Sequence, residues 1–225
     1  GNISPYLCKS LMSMDAYVTG VTNNKSRIEL LSKIGVKVFN KNEIMKSIKF
    51  ADSLIITVPP DSNGCPIINK FGKNIIKSNI SWLGYLSSTS VYGNHNGAII
   101  NEETLVKPRE KSSIYRYKAE NDVLKLASKS SINAEIFRVS GIYGPENNIF
   151  NRILTDKINI INKENHYFNR IHVDDIARVL SLASCVGNNK GIINLSDNLP
   201  APQIDVIRYA YSILNTKIPK FQNMK

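Results

Sequence analysis

Apolar positions along the chain follow two rhythms, one helical and one strand-like, and the two alternate. Residues 5–13 have helical spacing, with Pro5 suited to a first turn. Residues 16–21 form a β-type run. In 25–34, Ile28, Leu31 and Ile34 share one face, and Gly35 stops the helix. Residues 36–39 predict a short strand and 42–49 a helix. Residues 53–58 are apolar on both faces and end at Pro59-Pro60, as a strand covered by helices on both sides would. The alternation continues with a helix at 67–79, a strand at 82–87, an Asn- and Gly-rich loop at 93–97, a helix at 112–128 and a strand at 134–139. A helix at 172–182, opened by Asp174 and Asp175, a strand at 191–195 and a helix at 204–214 complete it.

Repeated strand–helix units of this size imply a parallel sheet joined by right-handed crossovers. The expected fold class is α/β, a Rossmann-type doubly wound parallel sheet. The 225 residues read as one nucleotide-binding domain without repeats or linkers. Segments 144–170 and 196–225 fit the alternation poorly and are expected to form a small substrate-facing lobe. A doubly wound fold opens with a strand leading into a Gly-rich turn. No residues precede Gly1 to form that strand, so the sheet is expected to lack it. Gly1-Asn2-Ile3-Ser4 fits the second half of G-x-G-x-x-G, with small Ser4 in place of the last glycine. These four residues are therefore candidates for holding a cofactor pyrophosphate.

Composition narrows the class. Apolar residues make up 42% and charged residues 21%, as in ordinary globular proteins. No apolar run is long enough to span a bilayer and no secretory leader is visible, so a cytoplasmic protein is expected. Three widely spaced cysteines, Cys8, Cys65 and Cys185, argue against a disulfide framework or a zinc site, and no metal is expected. The net charge of +11 has two readings. One is a phosphate-bearing partner. The other is compositional drift toward Lys, Asn and Ile. The basic residues are scattered rather than run together, which favours drift and argues against nucleic acid as a partner.

Three strings carry the chemistry. Ser87-Ser88-Thr89-Ser90-Val91-Tyr92-Gly93 follows one strand and Arg138-Val139-Ser140-Gly141-Ile142-Tyr143-Gly144-Pro145 follows the next. Asn169-Arg170-Ile171-His172-Val173-Asp174-Asp175-Ile176-Ala177 opens a helix. In this order and spacing the chain resembles the extended short-chain dehydrogenases/reductases, the NAD(P)-dependent epimerase/dehydratase family, and most closely its atypical YeeZ-like branch. The resemblance runs from about Gly1 to Pro219. It implies that Ser88 takes the place of the catalytic Ser/Thr, with Thr89 as its neighbour and Ser87 beside the cofactor. It also implies that Val58, Pro59 and Pro60 pass the cofactor's ribose and pyrophosphate, and that Tyr143 meets nicotinamide or substrate. His172 with Asp174 and Asp175 is expected to fix a helix start rather than to perform chemistry.

Cofactor choice is read after the second strand, where an acidic residue would bind the 2′-hydroxyl of NAD. Here the residues are Thr22-Asn23-Asn24-Lys25-Ser26-Arg27. Hydroxyl, amide and guanidinium groups suit a 2′-phosphate, so Thr22, Asn23 and Arg27 point to NADP, with NAD possible.

The match breaks at the catalytic helix. The family uses Tyr-x-x-x-Lys, spaced so that both side chains share one helix face, with an acidic residue four positions later. Counting back from Glu120 puts Arg116 at the Lys position and Ser112 at the Tyr position. Arg116 cannot act as a base, but it can hold a ribose or lower a neighbouring hydroxyl's pKa. Tyr115 is the candidate acid/base from a shifted register. One expectation is an oxidoreductase, epimerase or dehydratase acting on a small polar or sugar-like molecule, with Ser88, Thr89, Tyr115 and Arg116 in the chemistry. The alternatives are cofactor binding without turnover and, behind it, RNA binding. A homodimer is open.

Overall fold

The computed structural model describes residues 2–155, 158, 167–187 and 191–218. Helix α1 (Ser4–Met12) comes first and carries Pro5 in its first turn. Strand β1 (Thr19–Val21), helix α2 (Lys25–Lys33) and strand β2 (Lys37–Phe39) follow. The Asn24 side chain accepts the Arg27 N–H and so starts α2. Gly35, at φ 87°, lets the chain leave it. Helix α3 (Ile44–Phe50) leads into β3 (Ser53–Ile56), and α4 (Pro66–Ile76) into β4 (Trp82–Ser88). Helix α5 (Lys111–Ala127) precedes β5 (Asn133–Val139). Then come β6 (Gly141–Tyr143), α6 (Ile149–Leu154), β7 (Tyr167–Phe168), β8 (Arg170–His172), α7 (Val173–Val186), β9 (Ile192–Leu195), β10 (Ala201–Pro202) and α8 (Gln203–Ile213).

The main sheet is parallel, with order β3-β4-β5-β9. β1 and β2 form a separate parallel pair. Among the described residues no strand precedes α1, and none joins β1 to β3 by hydrogen bonds. The expected Rossmann-type α/β fold is present, and the break in its sheet falls between the first two βα units and the rest.

β4, in the interior of the sheet, is covered on both faces. Leu83 and Tyr85 pack with Val123 of α5 and Ile75 of α4. Trp82 and Leu86 pack on the other face with Leu7 of α1 and Ile176 and Leu180 of α7. Each such fully buried side chain stabilises by about 2 kcal/mol. Gly84 lies under the Trp82 indole, where a Cβ would stand 2.5 Å from a ring carbon.

Two strands are shorter than their apolar runs. β1 begins at Thr19 rather than 16, and β3 ends at Ile56 rather than 58. Each has one hydrogen-bonded neighbour; β1 starts where β2 does, whereas β3 leaves β4 after Ile56 as the chain turns toward Pro59-Pro60. The sequence pattern also passes over β6, β7, β8, β10 and α6, which are too short to show a period. In segments 144–170 and 196–225, β7 pairs antiparallel with β10 and α6 packs on α8. β6 pairs in parallel with β8, which places Tyr143 beside His172.

Candidate functional site

The N-terminus of α1, the end of β3 and the start of the β6 segment meet at the carboxyl end of the main sheet. Between them lies a cavity of about 410 Å³ lined by Asn2, Ile3, Ser4, Thr57, Leu86 and Tyr143, with Gly144, Glu146 and Asn147 on the β6 side. In open α/β sheets, ligands bind outside the carboxyl ends of the strands. The first turn of α1 offers backbone N–H groups and the positive end of the helix dipole to an anion.

Of the residues singled out in the sequence, Asn2, Ile3, Ser4 and Tyr143 come together in this cavity. Gly1 lies outside the described residues. Val58 and Pro59 stand exposed on the rim just after Thr57, and Pro60 is half-buried beyond them. The loop after β1 is braced: the Thr22 hydroxyl accepts the Asn24 N–H at 3.2 Å, and the Asn23 side-chain Oδ1 accepts the Lys41 N–H after β2 at 2.7 Å. The Arg27 guanidinium donates to Asn2 Oδ1 at 2.8 Å, tying this loop to the cavity.

The serine string turns away from the cavity in stages. Ser88 ends β4 and caps a short 3-10 turn (Thr89–Tyr92), accepting the Ser90 N–H at 3.2 Å. Thr89 is half-buried at the start of that turn. Ser87 was expected beside the cofactor, but strand alternation points its hydroxyl inward, where it donates to the Glu120 carboxylate. Arg116 also faces the sheet: Nη1 donates to the Leu86 carbonyl at 3.0 Å. Its guanidinium lies beside the buried Tyr85 hydroxyl, whose pKa burial raises and the Arg116 charge lowers in smaller part. Tyr115 is half-buried and makes no contact with the cavity.

A buried ion pair frames the serine turn. Arg138 donates to Glu120 from Nε at 3.2 Å and from Nη2 at 2.8 Å. Burial works against the Arg138 charge, but Glu120 and Tyr92 outweigh it and raise the guanidinium pKa. The Arg138 guanidinium lies 4.7 Å from the Tyr92 ring centre. The Tyr92 hydroxyl donates to Asn194 Oδ1 at 2.7 Å, and the Asn194 N–H donates to Glu102 at 2.7 Å. Ser87 before the turn and Tyr92 at its end are thus both held by the same pair.

His172 caps α7, accepting the Asp174 N–H at Nδ1 at 3.3 Å, as a structural role requires. Its ring also meets Tyr143 edge-on, with centres 5.1 Å apart.

The model of the NAD dependent epimerase/dehydratase family matches residues 73–196. The chain belongs to that family. The strings that end β4 and β5 and open α7 lie within the matched residues. The chain is similar to a functionally unknown conserved protein from Silicibacter pomeroyi DSS, at 30% identity over 97% of this chain and 77% of that one, TM-score 0.89. It shares its fold with UDP-glucuronic acid 4-epimerase from Bacillus cereus. In the complex of that enzyme with NAD the identity is 18%, the coverage 97% and 83%, and the TM-score 0.78. In the complex with UDP-glucuronic acid and NAD the coverage is 96% and 81% and the TM-score 0.76. No curated protein matches the chain.

The sequence reading missed Thr57, Leu86, Glu146 and Asn147 as cavity residues. Thr57 carried one signal, a polar residue ending an apolar strand. Asn147 carried none, because the turn that places it, bridged to Gly144, forms only in the fold.

Proposed function

We propose that this chain is an NAD(P)-binding member of its family that transforms a small polar or sugar-like substrate by oxidoreduction, epimerisation or dehydration. The observation that carries the reading is the cavity at the carboxyl ends of β3 and β4, bounded by the Asn2-Ile3-Ser4 turn and by Tyr143. In this reading the first turn of α1 takes the pyrophosphate, and Thr57 with Val58, Pro59 and Pro60 flanks the ribose. Tyr143 faces nicotinamide or substrate. Segments 144–170 and 196–225 form the substrate lobe. The bound cofactor supplies hydride chemistry. Ser88 and Thr89 hydrogen-bond a substrate oxygen, and Tyr115 moves the proton once bound substrate draws its helix toward the cavity. NADP is the proposed cofactor, and the reading is supported by the Arg27 guanidinium in the first turn of α2, which bonds Asn2 beside the cavity and suits a 2′-phosphate.

A second reading, cofactor binding without turnover, is supported by one observation. Arg116 faces the Leu86 carbonyl and Tyr115 lines no part of the cavity. Titration of NADPH and NADH into the purified chain, followed by a substrate screen with the preferred cofactor, separates the two. Binding with turnover supports the first reading, binding without turnover the second, and binding of neither cofactor removes both.

A further inference from the structure

In a parallel α/β fold every helix ends where the next strand begins, so all helix C-termini gather at the amino end of the sheet. That end lies opposite the cavity. Lys49 stands in the last turn of α3, Lys73 in the last turn of α4 with Lys77 as its cap, and Lys125 in the last turn of α5 with Lys129 just beyond it. All five are exposed, and among the described residues none is in an ion pair. α3 packs on α4, and α4 on α5. Gly72 faces Leu126, where an added Cβ would stand 3.1 Å from that side chain, so Lys73 and Lys125 adjoin one contact. Exposed carboxylates toward this end include Asp15, Asp52 and Glu29, the last paired with Lys33.

One lysine per helix end complements the helix dipole. The dipole does not account for two aromatic rings on the same face. Tyr17, just before β1, is 76% exposed, and Phe50, just before β3, is 71% exposed. The Thr19 and Ser47 hydroxyls bond at 2.8 Å, which joins the segments that carry the two rings. Exposed cations for phosphates together with exposed rings for bases are the recognition chemistry of single-stranded nucleic acid.

We infer that the amino-end face, with Tyr17 and Phe50 as stacking platforms and Lys49, Lys73, Lys77, Lys125 and Lys129 as phosphate contacts, binds single-stranded RNA or DNA. This surface is separate from the cofactor cavity and does not depend on the catalytic reading. The test is fluorescence anisotropy of a labelled oligouridylate of about 20 nucleotides against the full chain across a salt series. Affinity falls with salt, with a logarithmic slope of about −0.7 for each phosphate neutralised. The pair Lys73→Glu with Lys77→Glu weakens binding about ten-fold or more and flattens that slope, as does Lys125→Glu with Lys129→Glu. Tyr17→Ala with Phe50→Ala weakens binding about five-fold or more and leaves the slope unchanged. The thermal midpoint and far-UV circular dichroism of each variant match the parent's, which shows that the fold is intact. Absence of salt-dependent binding, variants that bind like the parent, or capture by phosphatidylserine vesicles without capture of the oligouridylate would overturn the inference.

Discussion

Glu120 of α5 and Arg138 of β5 form a two-pronged ion pair, with side chains 1% and 3% exposed, directly beneath the serine turn. Breaking a buried pair is costly because the remaining charge is stranded away from water. Arg138→Met therefore destabilises the chain by about 3–5 kcal/mol. It lowers the urea midpoint at unchanged m-value. Adding Glu120→Gln recovers part of the loss, because the stranded carboxylate is then gone. A double variant as unstable as the sum of the two singles would show that the pair is not coupled.

Burial gives a pH dependence on the alkaline side. The Cys8 thiol is pushed up from 9.0 to about 11, and burial raises Cys65 as well. The folded chain holds these protons more tightly than the unfolded chain does. Stability is therefore complete below about pH 9 and falls as pH rises toward 11. Two pKa units at Cys8 correspond to about 3 kcal/mol at most. Urea midpoints measured from pH 8 to 10.5 fall less steeply for Cys8→Ala than for the parent, whatever the absolute stability of that variant. Cys185, which is exposed, reacts with a thiol reagent in the folded state at pH 8, and Cys8 and Cys65 react only on unfolding.

Gly93 closes the serine turn at φ 73° and ψ −150°, a conformation open to glycine alone. A Cβ there would also stand 2.1 Å from the Lys107 carbonyl oxygen. Lys107 donates its N–H to the Val91 and Tyr92 carbonyls, so the clash falls on the segment that braces the turn. Gly93→Ala lowers stability by about 2 kcal/mol or more, read as a fall in thermal midpoint. A thermal midpoint equal to the parent's would mean that the turn relaxes freely.

Arg27 bears on cofactor choice. Arg27→Ala removes the guanidinium proposed to meet a 2′-phosphate. It weakens NADPH binding about ten-fold while changing NADH binding little, by calorimetric titration. Equal losses for both cofactors would show that Arg27 acts only through its bond to Asn2.

The strands and helices of the main sheet were legible because each carries a period set by burial on one or two faces. The run at 53–58, apolar on both faces, announced a covered parallel sheet, and β4 and β5, buried over most of their length, lie at its centre. The strings ending those strands pointed to the family by their order alone. Side-chain direction was less legible. Ser87 and Ser88 are neighbours in sequence, yet one hydroxyl lies in the interior on Glu120 and the other caps an exposed turn. A one-residue step along a strand reverses the face, and only the register of β4 against β5 decides which face holds the charge.

The sequence by itself determined the class of fold, the helix and strand order and the family, because these follow from local periodicity and contiguous strings. Tertiary structure decided what residues distant in the chain do together. It assembled the cavity from residues 2–4, 57, 86 and 143. It buried Arg138 against Glu120 and turned Arg116 toward the Leu86 carbonyl. It also gathered lysines scattered from 49 to 129 onto one end of the molecule, although their spacing in sequence argued against a shared surface. Parallel topology sends every helix end to the same side of the sheet, and no one-dimensional charge pattern records that.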